Sequence, residues 1–395
     1  MLLEWTTPRH GVRPWHVAHI DHTPLPLKFV DATLAMLVPT IWLTLMMDAY
    51  DRTVLAYYLS FDEPSYRSFM MVLRDCVRRH NRVPQIIVTD GGPEFQSTYY
   101  ETQLAMLRIT KRERMRGKPR SGSVCERLFG TTQEQFVSNL LGGTEIQEKY
   151  FRRVSKEVDP VRNAVWTLDR FDQRMELYLE KVYHPGHHAG LGMSPFAARA
   201  CGMRSHGERN HRLIPYDRIF IIQSCPAVHR GKAKVSPGGI KVNYIWFKCE
   251  EFNWPGVQGT NVPARYDPFN KGLAWAFVRG EWRECYSEYY PIFRQYTERA
   301  VRIATERLRL ADRLAGKKSV LNAQRLALFL QEAEKEEDLL KQLKQDTEAL
   351  NHRFKVHAPS GIGAQSEAVS FNKGDAGRVH ARPAKAKNIR ALGDL

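Results

Sequence analysis

The stretch "PQIIVTDGGPEF", residues 84–95, ends a run of β-branched apolar residues on a bare carboxylate, Asp90, followed by two glycines and a proline. Ile86, Ile87 and Val88 stand in continuous apolar order, which predicts a strand buried on both faces. Gly91, Gly92 and Pro93 stop it. With no side chains on the next two residues, a carboxylate at that tip is open to approach and suits a metal ligand. The same residue is also a favoured turn former. Its partners decide between the two readings.

The neighbouring segments supply an order of elements. "WHVAHID" (15–21), "PTIWLTLMMD" (39–48) and "RTVLAYYLSF" (52–61) read as strands, the last two joined at the turn-like "DAYDR". Pro64 and Ser65 open a helix to residue 80 that sets Phe69, Val72, Leu73, Cys76 and Val77 on one face. After the strand at 85–89 come a helix near 97–106, a short strand near 107–113, the loop "RGKPRSGS" and a helix from about Ser123 carrying Leu128, Phe129, Gln133 and Phe136. The order β-β-β-α-β-α-β-α predicts an α/β fold, a mixed five-stranded sheet with flanking helices.

Beyond this core, residues 144–210 read as a helical extension and connector, and 211–290 as a small all-β barrel. The barrel reading takes "RLIPYDRIFII", "GGIKVNYIWFKC", "NVPARYDP" and "LAWAFVRGEW" as strands. Residues 291–355 return to helix, and 356–395 read as a disordered basic tail. Leu339, Leu343 and Leu350 allow a partner-binding face, although a solvated charged helix is the simpler reading.

Lys and Arg number 59 against 43 Asp and Glu, a formal net charge of +16, which points to a polyanion partner such as nucleic acid. The six cysteines lack the spacing of a zinc site and read as reduced thiols. The longest apolar run, "AMLVPTIWLTLMM", is broken by Pro39 and too short to span a bilayer, and the first residues lack a secretory pattern. The cytoplasm is the expected compartment, with no membrane partner.

If the first and fourth strands are neighbours, Asp21 at the end of "WHVAHID" comes close to Asp90. A third carboxylate, Glu126 in "SGSVCERLFGT", opens the helix after the basic loop, with 35 residues between it and Asp90. Two aspartates from strand ends and a glutamate from a later helix suit divalent cations. Mg²⁺ prefers carboxylate oxygen and keeps several waters, so few protein ligands suffice. Two such ions about 3.5 to 4 Å apart clamp the attacking and leaving oxygens of an in-line phosphoryl displacement.

"HIDHTPL", "WLTLMMDAYDRTVLAYYLSFDEPS", "VTDGGPEF", "KPRSGSVCERLFGT", "LLGGT" and "YHPGHHAGLGMSPFAA" occur in the order, and close to the spacing, of the DDE transposase and integrase superfamily. The chain most resembles the TnsB, TniA and Mu-type transposases, over roughly residues 13–285. The resemblance implies an RNase H-like catalytic core over residues 1–143, with Asp21, Asp90 and Glu126 as catalytic and metal-binding triad for two Mg²⁺ ions, Mn²⁺ substituting. It implies a polynucleotidyl transferase that nicks transposon 3′ ends and joins them to target DNA as a homo-oligomer in bacteria. The C-terminal region corresponds in position to the segment by which such transposases meet an AAA+ ATPase regulator. Gly91 stands where many relatives carry asparagine. Such transposases also carry helix-turn-helix domains ahead of the core, where only about 14 residues precede the first strand here. Two alternatives follow: a DDE recombinase fragment lacking end recognition, and a catalytically silent DNA-binding or assembly subunit.

Beside such a site, Lys111, Arg112, Arg114, Arg116, Lys118, Arg120 and Arg127 read as phosphate contacts, although a solvated basic loop would look the same. Asp48 and Asp51 are rivals for the first carboxylate and read as turn residues. Asp31 falls in the loop after the first strand, and Glu94 reads as a brace for the following helix. His19 shares the strand face of Asp21, with His22 on the other. His184, His187 and His188 in "HPGHH" read as structural rather than metal-binding.

Overall fold

The first three strands of the core, β1 (Val17–Pro24), β4 (Trp42–Asp48) and β5 (Val54–Ser60), pair antiparallel in the order β5-β4-β1. The remaining two, β6 (Ile86–Thr89) and β7 (Thr110–Glu113), are added in parallel on the other side of β1, giving the order β5-β4-β1-β6-β7. A small ribbon of β2 (Phe29–Val30) and β3 (Leu37–Val38) stands apart. The computed structural model describes residues 11–30, 37–114, 123–144, 160–161, 163–208, 213–314 and 322–332, with Gln342, Gln345 and Asp346; the side chains of Pro93, Glu94, Glu126 and a few others are not included. Asp31, the three C-terminal leucines and the tail from residue 356 lie outside the described residues.

Parallel neighbours need a crossover, and two helices provide it. Helix α1 (Tyr66–His80) links β5 to β6, and α2 (Thr98–Met106) links β6 to β7. Ser65 caps α1 by accepting from the Arg67 N–H at 3.3 Å, and the Ser68 side chain completes a capping box. The last turn carries Arg78, Arg79 and His80, where positive charge complements the helix dipole. Asn81 ends the helix in the left-handed region.

Strand alternation divides the core into two layers. Ala18, Ile20, Met46, Ala56 and Tyr58 face one side and pack with Phe69, Val72, Leu73, Cys76 and Val77 of α1. Leu43, Leu45, Met47, Tyr57 and Leu59 face the other, against α3 (Ser123–Gln135) and α4 (Leu168–Tyr178). This strand order with helices on both faces is the RNase H-like α/β fold.

A second sheet of six strands is antiparallel throughout, in the order β8-β11-β12-β13-β10-β9, and nearly closes where β8 approaches β9. Its strands are β8 (Ala227–Lys234), β9 (Ile240–Val242), β10 (Ile245–Lys248), β11 (Asn261–Tyr266), β12 (Leu273–Val278) and β13 (Glu281–Ser287). At Gly239, with φ +100°, a Cβ would fall 2.1 Å from the Phe247 carbonyl oxygen, so only glycine fits the turn into β9. Phe293, Tyr296, Ala300, Ala304 and Leu308, with Leu326 and Leu330 from the helix Ala323–Glu332, extend the same core.

One expected strand is a helix. The second half of "RLIPYDRIFII" enters the helix Arg218–Ser224, about two turns long, because Asp217 caps it by accepting from the Phe220 N–H at 2.7 Å. Phe220 then packs into the layer around α1. Arg74, fully buried on α1, donates to Ser224 Oγ at 2.6 Å and to the Ile221 carbonyl at 2.9 Å. The core is thereby tied to the segment that leads into the second sheet.

Candidate active site

The β1–β6 register brings the two aspartates together. Val17 is opposite Ile86, Ala18 opposite Ile87 and His19 opposite Val88. Continuing that parallel register by two residues sets Asp21 abreast of Asp90. Strand parity gives Asp21 the face of Leu45, its partner on β4, which is the face covered by α3 and α4. Helix α3 packs on β1, with Cys125 and Leu128 buried in that layer. Glu126 is therefore in the first turn of a helix seated over the Asp21 side of the sheet, although its side chain is outside the described residues.

Both aspartates are half-buried. Asp21 accepts from the His22 N–H at 2.9 Å through one oxygen, and from an Arg114 guanidinium N–H at 2.7 Å through the other. Asp90 accepts from the Gly92 N–H at 3.3 Å, so the turn chemistry expected of "DGG" is present alongside its strand-end position. Burial works against the charge of Arg114, but Asp21 beside it more than compensates, and Asp90 and Cys125 also act on it. The cation thus senses both aspartates and the start of α3 together.

His22, next to Asp21 in β1, points to the opposite face of the sheet, toward the α1 layer. Its ring stacks on Phe95 with centroids 5.2 Å apart, and Nδ1 lies 2.8 Å from Thr44 Oγ1. Burial pushes its pKa down from 6.5 to about 4, against the pull of Asp21 and Asp90, so the imidazole is neutral at pH 7. Phe95 is itself buried in the α1 layer, which fixes the wall. Sequence reasoning noted His22 but missed both the stack and the Arg114–Asp21 pair. Neither has a sequence signature beyond the proximity of Phe95 to the "DGG" turn.

The expected DNA contacts divide by surroundings. Lys111 pairs with Glu101 at 2.6 Å and Glu113 at 3.1 Å, and Arg114 with Asp21. Arg112 and Arg127 are exposed. Arg116, Lys118 and Arg120 lie outside the described residues.

Asp48 closes the β1–β4 ladder opposite Ala18, three pairs from Asp21, and Asp51 follows in the turn to β5. Both are fully buried. Asp48 accepts from the Trp15 and Tyr50 N–H groups at 2.7 and 2.8 Å, and Asp51 from the Thr53 N–H at 2.9 Å. Arg199 spans the pair, 3.1 Å from Asp51 and 3.8 Å from Asp48, with its guanidinium 4.9 Å from the Trp15 ring centroid. His184 is structural in the same way: Nε2 accepts from the Val54 N–H at 3.0 Å, and burial, with Arg199 and Arg79 nearby, lowers its pKa to about 4.

Among the described residues no three His, Cys, Asp or Glu side chains form a cluster able to hold a metal ion. Two of the three expected ligands, Asp21 and Asp90, are in the described set, and as adjacent half-buried carboxylates they present the hard oxygen donors that suit Mg²⁺. No helix among the described residues is long and apolar enough to cross a membrane.

An RNase H-like core with Asp21 and Asp90 abreast on adjoining strands defines the class of protein. A family model for the TnsB C-terminal domain matches residues 19–142. The transposase for transposon Tn552 of Staphylococcus aureus is 25% identical over 194 residues, 47% of this chain. That match spans 38% of the relative's length, so this chain corresponds to less than half of it. Both sequence matches support a relationship to the DDE transposase and integrase superfamily. Among solved structures, the chain matches the HTLV-2 integrase catalytic core domain in complex with magnesium at TM-score 0.31 and 13% identity, covering 48% of this chain and 99% of that one. A simian T-cell lymphotropic virus intasome, in complex with a PP2A regulatory subunit, gives TM-score 0.34 and 15% identity over 72% of this chain and 81% of that one.

Proposed function

We propose that this chain is the catalytic part of a DNA transposase of the TnsB, TniA and Mu type, which nicks transposon 3′ ends and joins them to target DNA. The observation that carries the proposal is the β1–β6 register, which sets Asp21 abreast of Asp90 on the face where α3 brings Glu126. In this reading Asp21, Asp90 and Glu126 hold Mg²⁺, or Mn²⁺ in its place. The bound cations would supply activation of the attacking hydroxyl and stabilisation of the leaving oxygen.

The chain's own residues prepare that chemistry. Asp21 and Asp90 concentrate negative charge beside the end of β6, and Arg114 partly offsets it. Neutral His22, stacked on Phe95 beside Asp21, adds no competing positive charge. Exposed Arg112 and Arg127, with the basic segment that follows β7, would take up the phosphodiester backbone.

The division into a catalytic core (1–143), helical connector (144–210), β-barrel (211–290), helical region (291–355) and basic tail (356–395) belongs to the same proposal. So do action on DNA in the bacterial cytoplasm as a homo-oligomer and contact of the C-terminal region with an AAA+ ATPase regulator. The test is joining of a pre-cleaved transposon-end duplex to a supercoiled target by purified protein with Mg²⁺ or Mn²⁺, beside Glu126→Gln. Joining by the parent that the variant loses, at equal DNA binding, supports the reading. Folded, DNA-bound protein that joins nothing with either metal would instead favour an assembly subunit.

A further inference from the structure

Outside this site, the second sheet places two thiols face to face. Phe247 of β10 is opposite Ser287 of β13, and Lys248 opposite Tyr286. One more residue along this antiparallel register sets Cys249 opposite Cys285. The Glu288 N–H donates to the Trp246 carbonyl at 3.1 Å, which makes Trp246 and Glu288 a hydrogen-bonded position. Alternation along the ladder then makes Cys249 and Cys285 a non-hydrogen-bonded one. Such positions bring Cα atoms to about 4.5 Å and side chains closest together, within the span of a disulfide.

The two environments differ in a useful way. Cys285 is fully buried in the barrel core, with its thiol 3.6 Å from the Arg283 carbonyl oxygen. Cys249 shares the inward parity of Ile245 and Phe247 yet is only partly buried, and it lines an open cleft with Pro237, Phe252, Asn253 and Tyr286. Both thiols are free. A hydrogen bond with the Cys249 thiol, together with burial, holds the Cys285 thiol well above the ordinary thiol range. Cys249 is the accessible member, and Cys285 the resolving one.

We propose that Cys249 and Cys285 form a reversible dithiol–disulfide modification site, oxidised by a low-molecular-weight disulfide that reaches Cys249 through the cleft. The Cys249 thiolate attacks one sulfur of that disulfide, breaking its S–S bond, forming a mixed disulfide and releasing one small thiol. Cys285 then gives up its proton and attacks the Cys249 sulfur, releasing the second small thiol. The protein dithiol loses two protons and two electrons, and the small disulfide gains both. The new bond ties β10 to β13 covalently.

The test treats the folded full-length chain with oxidised glutathione, blocks remaining thiols by alkylation and maps peptides without reduction. The expected product is a peptide pair joined through Cys249 and Cys285, about 2 Da lighter than the two reduced peptides together and restored by dithiothreitol. Cys285→Ala should instead trap glutathione on Cys249, and because the parent measurement needs no variant, poor folding of Cys285→Ala leaves the test intact. Glutathione remaining on Cys249 of the parent, or full alkylation of Cys249 while exposed Cys201 takes the adduct, would overturn the proposal.

Discussion

Two pairs of aspartates lie toward opposite ends of the first sheet, Asp48 and Asp51 at the β4–β5 turn and Asp21 and Asp90 level with the end of β6, and their surroundings differ in burial. Asp48 and Asp51 are fully buried, bonded to backbone N–H groups and spanned by Arg199. Asp21, within β1, and Asp90, just past the end of β6, are only partly buried, each accept from a backbone N–H, and share the nearby charge of Arg114. A carboxylate sealed from solvent serves the fold. One left partly exposed beside another is available for ligand chemistry.

The sharpest way to break this comparison is to neutralise one residue at each end. Asp90→Asn should lower DNA joining by about 10³-fold or more, equivalent to about 4 kcal/mol of barrier, with an unchanged urea midpoint. Joining kinetics beside equilibrium unfolding check both halves. Arg199→Ala should do the reverse to stability. It leaves two buried carboxylates without their cation, so urea denaturation should show a loss of about 3–5 kcal/mol.

The buried pair also leaves a signature in pH. Burial and the neighbouring Asp51 raise the Asp48 pKa from 3.8 to about 7, so the folded chain holds this proton where the unfolded chain has lost it. Its contribution is fully present below 3.8 and is lost as pH rises through about 7. His22, His80 and His184 act oppositely: burial lowers each from 6.5 to about 4, giving stability that is present above 6.5 and lost as pH falls through 4. Stability measured by denaturation at a series of pH values should therefore rise more steeply between pH 4 and 6.5 in Asp48→Asn than in the parent. An unchanged slope would remove Asp48 from the account.

The smallest effect concerns Arg114. Arg114→Gln removes a cation that competes with metal for Asp21, so half-saturation by Mg²⁺, followed by thermal shift, should fall about threefold. A rise would mean that Arg114 helps to assemble the site.

The core was legible because its signals were local and mutually consistent. Ile86–Val88 ended at "DGG", the apolar face of 64–80 matched α1, and the element order left few sheet arrangements. "RLIPYDRIFII" was misread because its β-branched residues suit strand and helix alike, and the Asp217 cap decided the outcome. The Arg199 clamp joins residues 148 positions apart, and the Arg114–Asp21 pair residues 93 apart. No local pattern encodes either. The Cys249–Cys285 pairing likewise depends on register, since the two cysteines are far apart in sequence and follow no motif.

The most direct test of the difference between the two acidic ends is a Mn²⁺ titration followed by electron paramagnetic resonance, on the parent, Asp21→Asn, Asp90→Asn and Asp51→Asn. The account predicts that the first two variants lose Mn²⁺ binding while Asp51→Asn, provided it is folded at the temperature used, keeps the parent's affinity. Undiminished binding by folded Asp21→Asn and Asp90→Asn would contradict it, because these two carboxylates would then not hold the metal.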